Sequence, residues 1–402
     1  MAVATACSGP DVHTESAAVA TVEPATTTGP ATTTTRPRPA PTTPRTEPTE
    51  PTEPPPTEAT AASESPPTSS TPATLPPGDP AVPSTSSGDS LFPELGSADL
   101  DVQSYDVRLG YDVATETIDG AVTVTTLVRR PLDAIALDAA ELVVDAVRVD
   151  GAPATFEQVG TELIVHPATT VTPAAPVVID VEYRDGEHES DLGFGLGSGW
   201  YPVDDGSYVL NEPDGARRWL PSNDHPSDKA TWRFEVTVPA GVTAAANGAL
   251  VEQRPDGATT TWVWEQREPM ATYLVQLLIG DYEVLDGGLA GDTPLTNVAL
   301  REDVARMQPY FDLTAEQVAF FEPLFGPYPL DQYGLAFAAS VPGLAMETQG
   351  RSMFSRLDFS GSLDDTDQMF LAHELAHQWF GDAVTPADWS DLWLNEAFAT
   401  YG

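Results

Sequence analysis

His373-Glu374-Leu375-Ala376-His377, followed nineteen residues later by Glu396 in Trp393-Leu394-Asn395-Glu396, decides how this chain is read. Residues four apart share one face of a helix, so both imidazoles point at one spot, and Glu374 turns toward its edge. A following helix that carries Glu396 brings a carboxylate to the same place. Two neutral ring nitrogens and one carboxylate oxygen leave a tetrahedral zinc with one open position, the ligand set of a catalytic site rather than a structural one. The plainer alternative is a charged helix with two solvated histidines, and the third ligand with its flanking residues argues against it. The other histidines, His13, His166, His188 and His225, have no such company and read as surface or loop residues.

Around the motif the pattern is helical. Asp365 to Phe380 reads as the metal helix, with Gly381 placed to end it. A second helix starts near Ser390. Pro309 to Phe321 carries apolar residues at helical spacing and is followed by the stop signals Pro323, Gly326 and Pro327. Between them Tyr333 to Val341 is a short apolar strand. Upstream the period changes to two: Tyr105-Asp106-Val107-Arg108-Leu109, Ala121-Val122-Thr123-Val124-Thr125, Val177-Val178-Ile179-Asp180-Val181 and Trp232-Arg233-Phe234-Glu235-Val236 alternate apolar and polar. Turn residues such as Asp150-Gly151 separate them, and no helix-length run intervenes, so an antiparallel β domain is expected.

The first ninety residues are a different material. Thr32-Thr33-Thr34-Thr35 and Pro54-Pro55-Pro56 are typical of a stretch with almost no large apolar side chain, which cannot bury enough surface to offset its ordering entropy. Residues 1–90 are expected to be a disordered tether. Cys7, the only cysteine, sits in Ala4-Thr5-Ala6-Cys7-Ser8-Gly9, a setting like a bacterial lipoprotein cleavage site, which predicts a lipid anchor as the one membrane connection and an extracellular or cell-surface location. Only six residues precede Cys7, too few for a signal peptide. The 402 residues carry a net charge of −43 with Lys229 as the only lysine, which argues against nucleic acid or an anionic membrane as a partner.

With these elements in place, the chain resembles the zinc aminopeptidase family typified by aminopeptidase N, from about Asp99 to Gly402. His373 to Thr385 (HELAHQWFGDAVT) and Trp389 to Tyr401 (WSDLWLNEAFATY) look like the family's metal site. Val341 to Thr348 (VPGLAMET) is similar to its G-A-M-E-N exopeptidase motif, and Asn211 to Arg218 (NEPDGARR) to the β-domain segment that reaches the active site. The resemblance implies an α+β multidomain fold, with an antiparallel β-sandwich-like domain at 91–285 and a thermolysin-like α/β catalytic domain at 286–402. It implies that His373, His377 and Glu396 bind zinc, that Glu374 is the general base, and that Glu347 and Glu212 grip the free α-ammonium group of a peptide substrate. The segment before Glu347 would pair with substrate backbone as an added strand.

Three positions depart from the family pattern: Leu344 stands where Gly is usual, Thr348 where Asn is usual, and Ala397 where Gly follows the third ligand. Family members continue through more of a helical lobe, which supplies a tyrosine that stabilises the oxyanion, so the catalytic domain is expected to be truncated at Gly402 and inactive alone. Two functions follow as expectations. One is a zinc aminopeptidase acting by metal-activated water attack. The other is a non-catalytic surface binding module that keeps the β domain and tether.

Overall fold

The computed structural model describes residues 79–185, 198–204, 206–340 and 342–401. Cys7, His13, His188 and the Thr/Pro-rich stretch through residue 78 lie outside the described residues.

Alternation puts Tyr105, Val107 and Leu109 of the strand Leu100–Asp112 inside and their neighbours outside, as a pleated strand with one wet face requires. This strand lies within an eight-stranded sheet, paired antiparallel with Thr117–Val128 on one side. On its other side it pairs parallel with Ala230–Pro239, Tyr105 opposite Trp232. The sheet is therefore not purely antiparallel. A parallel neighbour needs a long crossover, and all the strands between residues 113 and 229 supply it; the Tyr105 and Trp232 rings stack 4.1 Å apart across the pair. A four-stranded sheet, which includes Gly206–Leu210, Thr243–Ala246 and Leu277–Gly280, shares one core with the large sheet through Val209, Ala245 and Leu278 against Phe234, Val236 and Trp264.

A five-stranded sheet has the order Tyr282–Ala290, Thr293–Leu300, Leu335–Ala338, Ser352–Ser355, Ala345–Met346. Its first strand runs through the expected 285/286 boundary. The apolar run at Tyr333 yields the four-residue strand Leu335–Ala338, parallel to both its neighbours. Ala345–Met346 is the edge strand, and Glu347 follows it directly.

Among the described residues are three α-helices, of which the first packs on this sheet while the second and third carry the histidine and Glu396 segments. Helix α1, Val304–Phe325, is longer than expected and contains both Pro309 and Pro323. Each proline removes one backbone donor, but burial of Met307, Tyr310, Phe311, Val318 and Phe321 against the sheet outweighs that loss. Helix α2, Asp365–Ala376, begins as expected at a reciprocal cap: Asp364 accepts from the Thr366 and Asp367 amides while Asp367 accepts from the Asp364 amide. It ends before Phe380, because the amides of Gln378 and Trp379 bond three residues back and tighten the last turn. Asp388 caps a short 3-10 turn at Trp389–Asp391, and α3, Leu392–Tyr401, follows.

The folded body also takes in residues 79–90, assigned above to the tether. Arg130 donates to the carbonyls of Asp79 and Val82 and to the Asp99 carboxylate, and the Ser87 amide bonds Leu95. Fixed hydrogen bonds order this segment where its few apolar side chains could not. Among the described residues no helix is long and apolar enough to cross a membrane.

Candidate metal centre

One turn of α2 separates His373 from His377, and their Nε2 atoms stand 3.0 Å apart. Glu396, in the second turn of α3, places Oε2 3.4 Å from His373 Nε2 and 3.9 Å from His377 Nε2. Three donors each about 2.1 Å from one ion at tetrahedral angles lie about 3.4 Å apart, so this triangle has the size a zinc ion needs. The protonation pattern agrees. His377 Nδ1 faces two acceptors, Asn395 Oδ1 and the Phe380 carbonyl, and so carries the ring proton, which leaves its Nε2 a lone pair. That lone pair, His373 Nε2 and the Glu396 carboxylate converge on one point, the arrangement of a three-ligand cation site.

Behind the triangle lies a second group. Glu374 is buried, and its carboxylate, that of Glu347 and a ring nitrogen of His377 all lie within 4.8 Å of one another. Burial first, then the charges of Glu347 and Glu396, push the Glu374 carboxyl well above its ordinary range. Glu347 accepts from Asn395 Nδ2 at 3.1 Å. Glu212 Oε1 is enclosed without a hydrogen-bond partner among the described residues, and burial together with the Glu347 charge raises its carboxyl as well. Asp382, a few residues past α2, is fully buried with neither carboxylate oxygen hydrogen-bonded among the described residues, raised by burial and by Glu347, while Lys229 opposes the shift. All six residues picked from the sequence therefore share one environment, five of them by direct proximity and Glu212 through its electrostatic coupling to Glu347 and Glu396.

The departures are accommodated. Positive φ falls on Gly343 (79°) rather than at Leu344, which is buried, so a side chain at 344 is compatible with the backbone path. The Thr348 hydroxyl donates to the Arg351 carbonyl and accepts from Gln276 Nε2, a polar contact turned inward. Arg351 itself is buried among neutral acceptors, the carbonyls of Ala246, Gly248 and Thr296, and stitches the β domain to the Glu347 loop.

Several residues of the site have no role in the sequence-level expectations. Asn395 bridges His377 and Glu347; its only signal was its place beside Glu396 in the quoted motif. Gln378 donates to the Glu347 carbonyl and accepts from the Gly350 amide, fixing the Glu347 loop to the end of α2. Lys229 donates to the Asp382 and Ala383 carbonyls. His225 corrects an expectation: it lies in a loop but is buried, with Nε2 3.2 Å from Asp89 and Nδ1 2.7 Å from Ser227 Oγ. His166 is partly exposed beside Glu157, as expected.

Comparison with known proteins matches residues 102–274 to the peptidase M1 N-terminal domain and residues 310–402 to the peptidase family M1 domain. The chain belongs to peptidase family M1. A crystal structure of an M1 zinc metallopeptidase from Deinococcus radiodurans superposes with a TM-score of 0.68 at 35% identity, covering 79% of this chain and 72% of that one. A mutant of that enzyme, bound to a Tyr-Ser-Ala substrate, matches at a TM-score of 0.67 and 34% identity over the same shares. Aminopeptidase M1-B of Oryza sativa subsp. japonica is 29% identical over 316 residues, 74% of this chain and 36% of its own length. Probable aminopeptidase 1 of Sulfurisphaera tokodaii is 30% identical over 279 residues, 66% of this chain and 34% of its own. The chain thus spans about a third of the length of the curated relatives it matches. Both expected parts, the β-rich amino-terminal domain and the M1 catalytic fold, are those of the family.

Proposed function

We propose that the protein carrying this chain is a zinc-dependent aminopeptidase that removes single residues from the amino-termini of peptides. The observation behind this is the convergence of His373 Nε2, His377 Nε2 and Glu396 Oε2 beside the buried carboxylates of Glu374 and Glu347; the M1 zinc metallopeptidase structures give it a family setting.

His373, His377 and Glu396 would hold the zinc, which when bound would supply a Lewis acid for the scissile carbonyl and for a water. Glu374 accepts the proton of the attacking water on its carboxylate and passes it to the leaving amine. Glu347 and Glu212 receive the substrate's α-ammonium group. Two enclosed carboxylates with no basic side chain paired to them among the described residues favour a cation, and a peptide continuing as neutral chain would leave them uncompensated. The free edge of Ala345–Met346 pairs with substrate backbone and holds the first peptide bond in reach of Glu374.

The test is hydrolysis of chromogenic aminoacyl amides by the zinc-loaded protein and by Glu374→Gln. The substitution is expected to keep zinc and lose activity by about 10²–10⁴-fold. Zinc-loaded protein that cleaves no substrate with a free amino-terminus, or a Glu374→Gln variant as active as the parent, overturns the proposal.

A further inference from the structure

The helix that delivers Glu396 is anchored at its start by a segment far away in sequence. The Asp89 side chain is fully enclosed, and each of its oxygens accepts from two sides. Oδ1 takes the amides of Leu91 and Phe92, both at 2.8 Å, which folds Asp89–Phe92 into a tight turn. Oδ2 takes the Trp389 amide at 2.6 Å and faces His225 Nε2 at 3.2 Å. Next to it Ser90 donates its amide and its hydroxyl to the two oxygens of Asp388, at 3.0 and 2.8 Å. Phe92 then packs edge-on against the Trp389 ring, which also meets the Tyr273 ring edge-on. Asp388 and Trp389 open the turn that runs straight into α3, so the strap grips the element just before Glu396 appears.

α2 has a reciprocal cap and α1 a long buried face, but α3 buries only Asn395 and Ala399, and Trp393, Phe398 and Tyr401 lie exposed. Along its length it is held by Asn395 on His377 and Glu347 and by Phe398 stacked on Phe380, and at its first turn by this strap. We propose that Asp89, with Ser90, is a positioning element for the third metal ligand: it fixes the start of α3, and through α3 the place of the Glu396 carboxylate relative to His373 and His377. This rests on the zinc assignment made above. Asp89 itself touches neither metal nor substrate.

The decisive substitution is Asp89→Asn. An amide has one oxygen, and Asp89 meets donors on both faces, so one face must present an NH₂ group to an N–H while size and shape stay the same. Two readouts are taken on the purified protein. Hydrogen exchange in the metal-free state is expected to show lost protection in residues 392–401 with α2 unchanged. Zinc competition against a chromophoric chelator is expected to show affinity weakened by roughly tenfold, the lower end of what outer-shell substitutions cause. Val122→Ala, a cavity in the remote large sheet, controls for general loss of stability: it is expected to lower Tm while leaving both readouts unchanged. Ser90→Ala, which removes one bond at an exposed position, is expected to change both in the same direction by less, and it keeps the question open to measurement should Asp89→Asn fold poorly. Unchanged α3 protection in both strap variants, or zinc affinity equal to the parent's, overturns the positioning role. A parent protein that takes up no zinc overturns the metal assignment instead, and α3 protection alone then shows whether the strap holds the helix.

Discussion

Asn395 Oδ1 sits 2.5 Å from Nδ1 of His377 while its Nδ2 lies 3.1 Å from Glu347 Oε1, so one amide is bonded to both the His377 imidazole and the Glu347 carboxylate. The direction of the amide is fixed by chemistry. A carboxylate only accepts, which turns Nδ2 to Glu347 and leaves Oδ1 to hold the imidazole proton.

Asn395→Ala is expected to weaken zinc affinity by about 10–100-fold, because His377 loses the partner that sets its tautomer and ring orientation. The same variant frees Glu347, so KM for a free-amino-terminus substrate is expected to rise as well. Zinc competition and steady-state kinetics at saturating zinc separate the two effects. An affinity within twofold of the parent's would show that the Phe380 carbonyl alone suffices to orient the ring.

Gly381 is required by the same contact. Its φ is +129°, and a Cβ there would stand 2.2 Å from Asn395 Oδ1. Gly381→Ala is expected to cost about 1–3 kcal/mol from backbone strain alone, and to displace Asn395 besides. The signature is a lowered Tm together with weakened zinc binding; a drop in Tm without any change in zinc affinity would mean that Asn395 can move aside freely.

The grouping of the α2 residues was legible in the sequence because it is local. His373, Glu374 and His377 lie within one helical turn, and their spacing alone places them on one face. The β domain was legible from period-two alternation, yet its one parallel pair was not, since nothing in the local pattern of Tyr105 or Trp232 states which strand lies alongside. What escaped was long-range polar bonding. Asp89, Ser90 and His225 belong to segments whose composition is that of a loop, and only their partners at Asp388 and Trp389 show otherwise. Pro309 misled in the opposite way: a local breaker signal was overridden by the apolar face of α1 packed on the sheet.

Glu347→Ala is expected to impair peptides with a free amino-terminus far more than amino-acetylated ones, since the lost partner is an ammonium group. The comparison is kcat/KM on matched free and acetylated peptides. Equal loss on both would assign Glu347 to holding Asn395 rather than to substrate.

Stability is expected to fall as pH rises from the acid side, because of a buried acidic group remote from the α2 motif. Burial raises Asp138 to about 6 and Asp228 to about 6; burial and then the Asp138 charge raise Asp224 to about 7 and Glu162 to about 8. Arg217 faces Asp138, Asp224 and Glu162 and offsets part of this. Each of these acids binds its proton more tightly in the folded chain than in the unfolded one, where the pKa is about 4. Their contribution is therefore full below about pH 4 and is lost as pH rises through the folded values, to about pH 8. The overall charge of −43 acts in the same direction, because protonation relieves repulsion. Zinc acts oppositely, since protonated histidines release it, so the measurement is Tm of metal-free protein in a chelator at pH 5.5 and pH 8.5. Tm is expected to be higher at pH 5.5, and Asp224→Asn, which cannot ionise, is expected to shrink the difference. A metal-free Tm that climbs with pH, or an Asp224→Asn variant with the parent's full pH dependence, would show that these carboxyls are ionised in the folded protein and paired well enough to remain so.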